Sequence, residues 1–173
     1  MKHLFVTAGL TAAMLASMAS VQAANEVNTS SANAVARCQG ALPNYESALR
    51  KRPLAVDNVS ATAAFVTCAF EMRGDAGALA HQVDVWFGNN TASPQTITCN
   101  GIQGYNGGSE ATGKSITIPA NSQGPSPLTW TDADFTAGID GLFSVSCLMP
   151  AGTGVNDTYA SWSENDAEAP PAP

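Results

Sequence analysis

The chain has 173 residues, with 14 acidic against 7 basic side chains and a net charge of −7. A surface of that sign repels nucleic acid and anionic lipid, which removes both as partners. Only 12% of residues are charged, while Thr, Ser, Asn and Gly are plentiful, a balance that suits an extracellular β protein.

Residues 1–23 read as a secretory leader. Met1-Lys2-His3 is a short basic start, LFVTAGLTAAMLASMA is an apolar run of small residues, and Val21-Gln22-Ala23 is a small-x-small cleavage site. Cleavage is expected after Ala23. The run is shorter than the roughly 20 apolar residues a spanning helix needs. The first cysteine, Cys38, lies far from the cut, which argues against a lipid anchor. The mature protein is therefore expected to be secreted or periplasmic, with no membrane insertion once the leader is gone. What remains is long enough for one domain with a real core.

Residues 24–54 read as an N-terminal arm. NEVNTSSANAVA is polar and small, and the stretch around Tyr45 and Arg50-Lys51-Arg52 has no clear period. The sheet signal runs over residues 55–164. Asn58 and Ser60 mark a turn, and Ala64 to Met72 then alternates with Val66, Cys68, Phe70 and Met72 on one parity. His81 to Gly88 places Val83, Val85 and Phe87 on one face. Asn89-Asn90 and Ser93-Pro94 are turn chemistry leading into Gln95 to Gly101, with Ile97 and Cys99 together. Asn100 to Gly113 holds five glycines and reads as an exposed loop or irregular hairpin. Lys114 to Ala120 turns Ile116 and Ile118 inward, and Leu128 with Trp130 marks a short strand. Asp132 to Gly141 is an acidic connection. Leu142 to Pro150 alternates cleanly, with Phe143, Val145, Cys147 and Met149 inward. A last strand spans Val155 to Glu164, and residues 165–173 form an acidic, proline-rich tail.

Seven such strands with turn signals between them predict an all-β fold, an antiparallel two-sheet sandwich of immunoglobulin-like or jelly-roll-like connection. Cys68, Trp86 and Cys147 follow the immunoglobulin order. However, Val145 stands where that fold has tyrosine, and Trp86 is off the parity of its strand's core residues.

The four cysteines, Cys38, Cys68, Cys99 and Cys147, are separated by 30, 31 and 48 residues. Zinc sites bring ligands in close pairs, so disulfides are expected instead. Three pairings are possible. The sequence-local one, Cys38–Cys68 with Cys99–Cys147, is favoured over Cys68–Cys147 with Cys38–Cys99.

The run of Cys38, Asn58, Ser60, Val66, Cys68, Trp86, Cys99, Cys147, Pro150 and Tyr159 resembles a group of uncharacterised exported bacterial four-cysteine proteins. They are common in myxobacteria and some proteobacteria. The resemblance implies a β-sandwich and no assigned activity. Many members have Cys-Pro at the second cysteine, where this chain has Cys68-Ala69.

Several motifs invite chemistry. GSEATGKS, Gly108 to Ser115, matches a phosphate-binding loop, but the following SITIPA alternates as a strand and supplies no helix N-terminus. His81 is the one histidine past the leader, and no serine sits in a Gly-x-Ser-x-Gly elbow to use it. Asp132, Asp134 and Asp140 lack the glycine and closing glutamate of a calcium loop and read as a solvated turn. No catalytic set, metal or cofactor is expected. Trp86 and Trp162 both lie off the parity of their strands' clearest apolar residues, and form a possible ligand platform. The expectation is a non-catalytic domain for surface or envelope interaction, with an unknown protein or glycan partner. The alternative is a carbohydrate-binding module using those two tryptophans.

Overall fold

The computed structural model describes residues 25–72, 79–105, 108–124, 127–136 and 138–165. The expected leader and most of the tail lie outside them. Two antiparallel sheets pack face to face. In sheet A, strand β6 (Leu79–Asn89) pairs on one edge with β9 (Pro127–Thr131) and β10 (Ile139–Asp140). Its other edge pairs with β12 (Thr153–Asn165). Beyond β12 lie β1 (Asn25–Asn33) and β4 (Ala55–Asn58), with β3 (Leu49–Arg52) outermost. Sheet B runs β2 (Cys38–Gly40), β5 (Ala64–Glu71), β11 (Leu142–Met149), β7 (Gln95–Tyr105) and β8 (Gly108–Ile118).

The core is built from the alternation visible in the sequence. Val66, Cys68 and Phe70 of β5, with Phe143, Val145, Cys147 and Met149 of β11, face Val83, Val85 and Phe87 of β6 and Trp130 of β9. Phe143 is the hub. Its ring lies 6.1 Å from Phe70, 6.2 Å from Trp130 and 5.7 Å edge-on from Phe135. Offset and edge contacts of this kind are worth about 0.5–1.5 kcal/mol each beyond the area they bury.

The disulfides are Cys38–Cys68 and Cys99–Cys147. Both join directly opposite residues on neighbouring strands of sheet B, with Cα atoms 4.0 Å apart, so neither crosses the sandwich. Each restricts the unfolded chain by about 4 kcal/mol on a chain-entropy account. The first matters most locally, since β2 has only three residues with which to hold the edge of β5. Two disulfides suit an oxidising extracellular or periplasmic compartment. No described helix is long and apolar enough to cross a membrane.

Two readings of the sequence need correction. Residues 25–52, expected as an arm, supply β1, β2 and β3, and β1 pairs with β12 over its whole length. The expected loop at residues 100–113 falls largely in a long, regular β7–β8 hairpin, with Tyr105 opposite Gly108. Both stretches look unstructured for one reason. β1 and β8 are edge strands that bury little, so selection for an apolar face is weak. On β8 the exposed face is closed by hydroxyl pairs instead, Thr96 with Thr117 and Thr98 with Ser115, each at 2.9 Å. Among the described residues there are twelve strands rather than seven.

At one end of the sandwich the chain crosses between sheets four times, and two asparagines clasp these crossings in pairs. Asn58, ending β4, donates its amide to the Thr62 carbonyl (2.8 Å) and to that of Met149 (2.9 Å), where β11 leaves sheet B. Asn89, ending β6, donates to the carbonyls of Ser93 (2.8 Å), Ile118 (3.2 Å) and Pro119 (3.0 Å), where β8 leaves. Each asparagine's oxygen accepts from the amide and hydroxyl two residues on, Ser60 for Asn58 and Thr91 for Asn89. Both are buried, at 1% and 0% exposed. Truncating either leaves the buried carbonyl of Met149 or Ile118, and part-buried turn amides, without that partner. Asn58→Ala and Asn89→Ala should each lower unfolding free energy by about 3 kcal/mol in urea titrations. A loss under about 1 kcal/mol would show that the clasp is not structural.

Candidate functional site

The site lies on the outer face of sheet A, the one turned away from sheet B. Since Val83, Val85 and Phe87 point into the core, Asp84, Trp86 and Gly88 point outward. Opposite them β12 carries a bulge. Phe87 pairs with Val155 and Val85 with Thr158, so Asn156 and Asp157 together face Trp86. Trp86 is half-buried there, beside half-buried Tyr159. Ser31 and Asn33 of β1 and exposed Asp157 complete the wall of a shallow groove. Its base is tied down by Thr158, whose hydroxyl donates to the Ala32 carbonyl at 3.0 Å. Beside it, buried Asp84 accepts from Thr129 Oγ1 at 2.6 Å and Gln82 Nε2 at 2.5 Å, which fixes the polar surface between β6 and β9.

The bulge also corrects the expected platform. It switches the parity of β12, so Thr158, Ala160 and Trp162 turn inward while Tyr159 turns outward. Trp162 is 9% exposed and belongs to the core cluster, on the opposite face from Trp86. The aromatic neighbour of Trp86 in the groove is Tyr159. A bulge leaves no mark in a local period-2 pattern, and alternation counted forward from Val155 therefore assigns the wrong face.

The other motifs are structural. Gly108 to Ser115 is extended strand throughout, in β8, and offers no helix N-terminus to a phosphate. Lys114 points toward the β9 connection, where its ammonium lies 2.6 Å from Asp134 Oδ2 and donates to the Thr129 carbonyl at 2.7 Å. Asp134 also accepts from the Thr131 amide at 2.8 Å, capping the 3-10 turn Asp132–Asp134. Asp132 accepts from the Ile139 amide at 3.1 Å. Burial disfavours the Asp134 carboxylate, but the bonds from Lys114 and Thr131 outweigh it and hold its pKa below the usual range. All four cysteines are oxidised and provide no thiol nucleophile. Among the described residues no three His, Cys, Asp or Glu side chains group to hold a metal. The side chains of His81 and Asp140 lie outside the described residues.

The fold defines a disulfide-bonded, all-β sandwich. No family model and no curated protein matches the chain. Among solved structures it is similar to the exo-β-1,3-galactanase of Phanerochaete chrysosporium solved with galactose, at 13% identity and TM-score 0.45. That match covers 77% of this chain and 29% of the other, so this chain spans less than a third of the hydrolase. It is also similar to TmCBM61 in complex with β-1,4-galactotriose, at 14% identity and TM-score 0.39, covering 80% and 88% of the two chains. A third likeness, described as CBM4, has 8% identity and TM-score 0.36, covering 79% and 86%.

Two outcomes follow from this geometry. Asp134 has a depressed folded pKa, so its stabilisation is present above the unfolded carboxylate value of about 3.9 and is lost as pH falls through the folded value. Lys114→Met should cost about 1 kcal/mol at neutral pH and flatten the acid limb of the stability profile, measured by urea unfolding from neutral to acid pH. An unchanged acid limb would show that the ion pair carries none of it. Second, with Trp130 at 0% and Trp162 at 9% exposure, acrylamide should quench mainly Trp86. Trp86→Phe should remove the quenchable fraction, and persistence of that fraction would contradict the assigned faces.

Proposed function

We propose that this chain is an exported, non-catalytic binding domain whose ligand is a glycan, held in the groove at Trp86. The observation that carries this reading is the pairing of a half-buried indole and a neighbouring phenol with amide, hydroxyl and carboxylate groups on one outer sheet face. A sugar ring has an apolar face that stacks on an aromatic ring, and a rim of hydroxyls that both donate and accept. Asn33, Ser31 and Asp157 provide partners for that rim. This reading is one case of the surface or envelope interaction expected from the sequence. The exported four-cysteine proteins that the chain resembles are the natural set in which to look for the same use.

A non-catalytic role is supported by how the reactive groups are used. The cysteines are paired, and Asp84 and Asp134 are each held by neighbouring donors. The test is tryptophan fluorescence and affinity electrophoresis against a panel of polysaccharides. A bound glycan should shield Trp86 from acrylamide, and Trp86→Ala should weaken binding by about tenfold or more, as for a central aromatic anchor. The variant should keep its unfolding midpoint, because Trp86 lies outside the core cluster. Binding that survives Trp86→Ala, or a panel with no binder at all, would sink the reading.

A further inference from the structure

The outer face of sheet A continues past the Trp86 groove. Asp57 of β4 pairs with Gly154 of β12, and Gly154 with Gly88 of β6, so the three stand in one row across three strands. The adjoining row of Val56, Val155 and Phe87 is buried in the core, which turns the Asp57 row outward. Neither glycine leaves a hole. The Asp57 carboxylate lies flat over Gly154, too close for a Cβ there. A Cβ on Gly88 would fall 3.2 Å from the Asn156 amide and 2.9 Å from Gln123 Oε1. The glycines thus let polar side chains lie down on the sheet and form a low floor.

That floor lies between two depressions. At one end is the groove of Trp86, Tyr159 and Asp157. At the other, Leu54, Arg52, Asn90 and Gln123 line a second hollow, with Gln123 donating to Asn90 Oδ1 at 2.9 Å. Leu54 is 67% exposed at its rim. From β6 to β4 is two strand spacings, about 10 Å, and the offset between Trp86 and Asn90 along the chain adds to it. That reach exceeds a single sugar ring.

Charge narrows the ligand further. The Arg52 guanidinium is engaged by Asp57 at 2.8 Å, and Asp157 is an exposed carboxylate at the opposite end. Among the described residues of these two hollows Arg52 is the one cation, on a chain of net charge −7. Carboxylates accept hydroxyl donors well and repel other carboxylates, while Asn156, Asn90 and Gln123 both donate and accept. Resting on the glycan reading above, we infer that the two hollows are one cleft that takes a linear, uncharged glycan chain several rings long. Trp86 anchors one end, and the Leu54–Gln123 hollow serves as a second subsite.

The experiment is calorimetric titration of the full mature chain with cello-, manno- and galacto-oligosaccharides of two to six units, and with polygalacturonate. Affinity for the neutral series that binds should rise about tenfold or more from two units to six, as the second subsite fills. Leu54→Ser combined with Gln123→Ala should reduce six-unit binding to the two-unit level and leave two-unit binding unchanged. Trp86→Ala should weaken both. Affinity that does not change with length, while still needing Trp86, overturns the extended cleft and leaves the groove reading standing. Length dependence that survives the Leu54/Gln123 double variant overturns it as well. Polygalacturonate binding as tightly as the neutral chains overturns the uncharged assignment. If no oligosaccharide binds, or none is weakened by Trp86→Ala, the glycan reading itself falls.

Discussion

Four crossings between sheets at one end of the sandwich have to be held in place, and two buried asparagines do this. Asn58 and Asn89 each sit where a strand of sheet A ends, and each reaches the carbonyls of a strand leaving sheet B. A carboxamide is suited to the task because it presents two donors and an acceptor from one rigid plane. Its oxygen closes the local turn while its nitrogen ties down the distant chain. The two sheets are thereby registered against each other at that end, and the rest of the sandwich inherits the alignment. The disulfides do a different job. Both lie within sheet B, cross-linking β2 to β5 and β7 to β11.

Sheet A carries the candidate site, and one irregularity in it sets the site's geometry. The β12 bulge sets two consecutive polar residues, Asn156 and Asp157, opposite Trp86, with Asn156 lying over Gly88, and leaves Trp162 on the core side. Without it, regular alternation would have left the position beside Trp86 with a single side chain. The aligned glycines at Gly88 and Gly154 act in the same direction, lowering the surface so that polar groups lie flat where larger residues would stand up. A bulge and two glycines cost some strand stability. β6 and β12 stay paired on both sides of them, from Asn89 with Thr153 to Leu79 with Ser163.

The acidic connection and the phosphate-loop look-alike meet in space, which neither suggests alone. Lys114 comes from near the end of GSEATGKS and Asp134 from the acidic turn, and together they fasten edge strand β8 to the β9 connection. A charged residue pointing inward from an edge strand is also a common guard against unwanted pairing.

Much of this was legible in the chain itself. The alternation of Val66, Cys68, Phe70, Phe143, Val145, Cys147 and Met149 reports burial directly, because a strand with one face in a core has a period of two. The cysteines share that parity, and their spacing points to disulfides. Asn58 and Asn89 were readable as turn residues, since each bonds its own chain two residues on. What the tertiary structure alone decided is everything that depends on register. That includes the pairing of polar β1 with β12, the grip of each asparagine on a distant carbonyl, and the face taken by Trp162. It also includes the row that aligns Asp57, Gly154 and Gly88. A local pattern records which side chains want burial. It does not record where a bulge resets the count, nor which strands come to lie side by side, because those follow from packing between segments far apart in the chain.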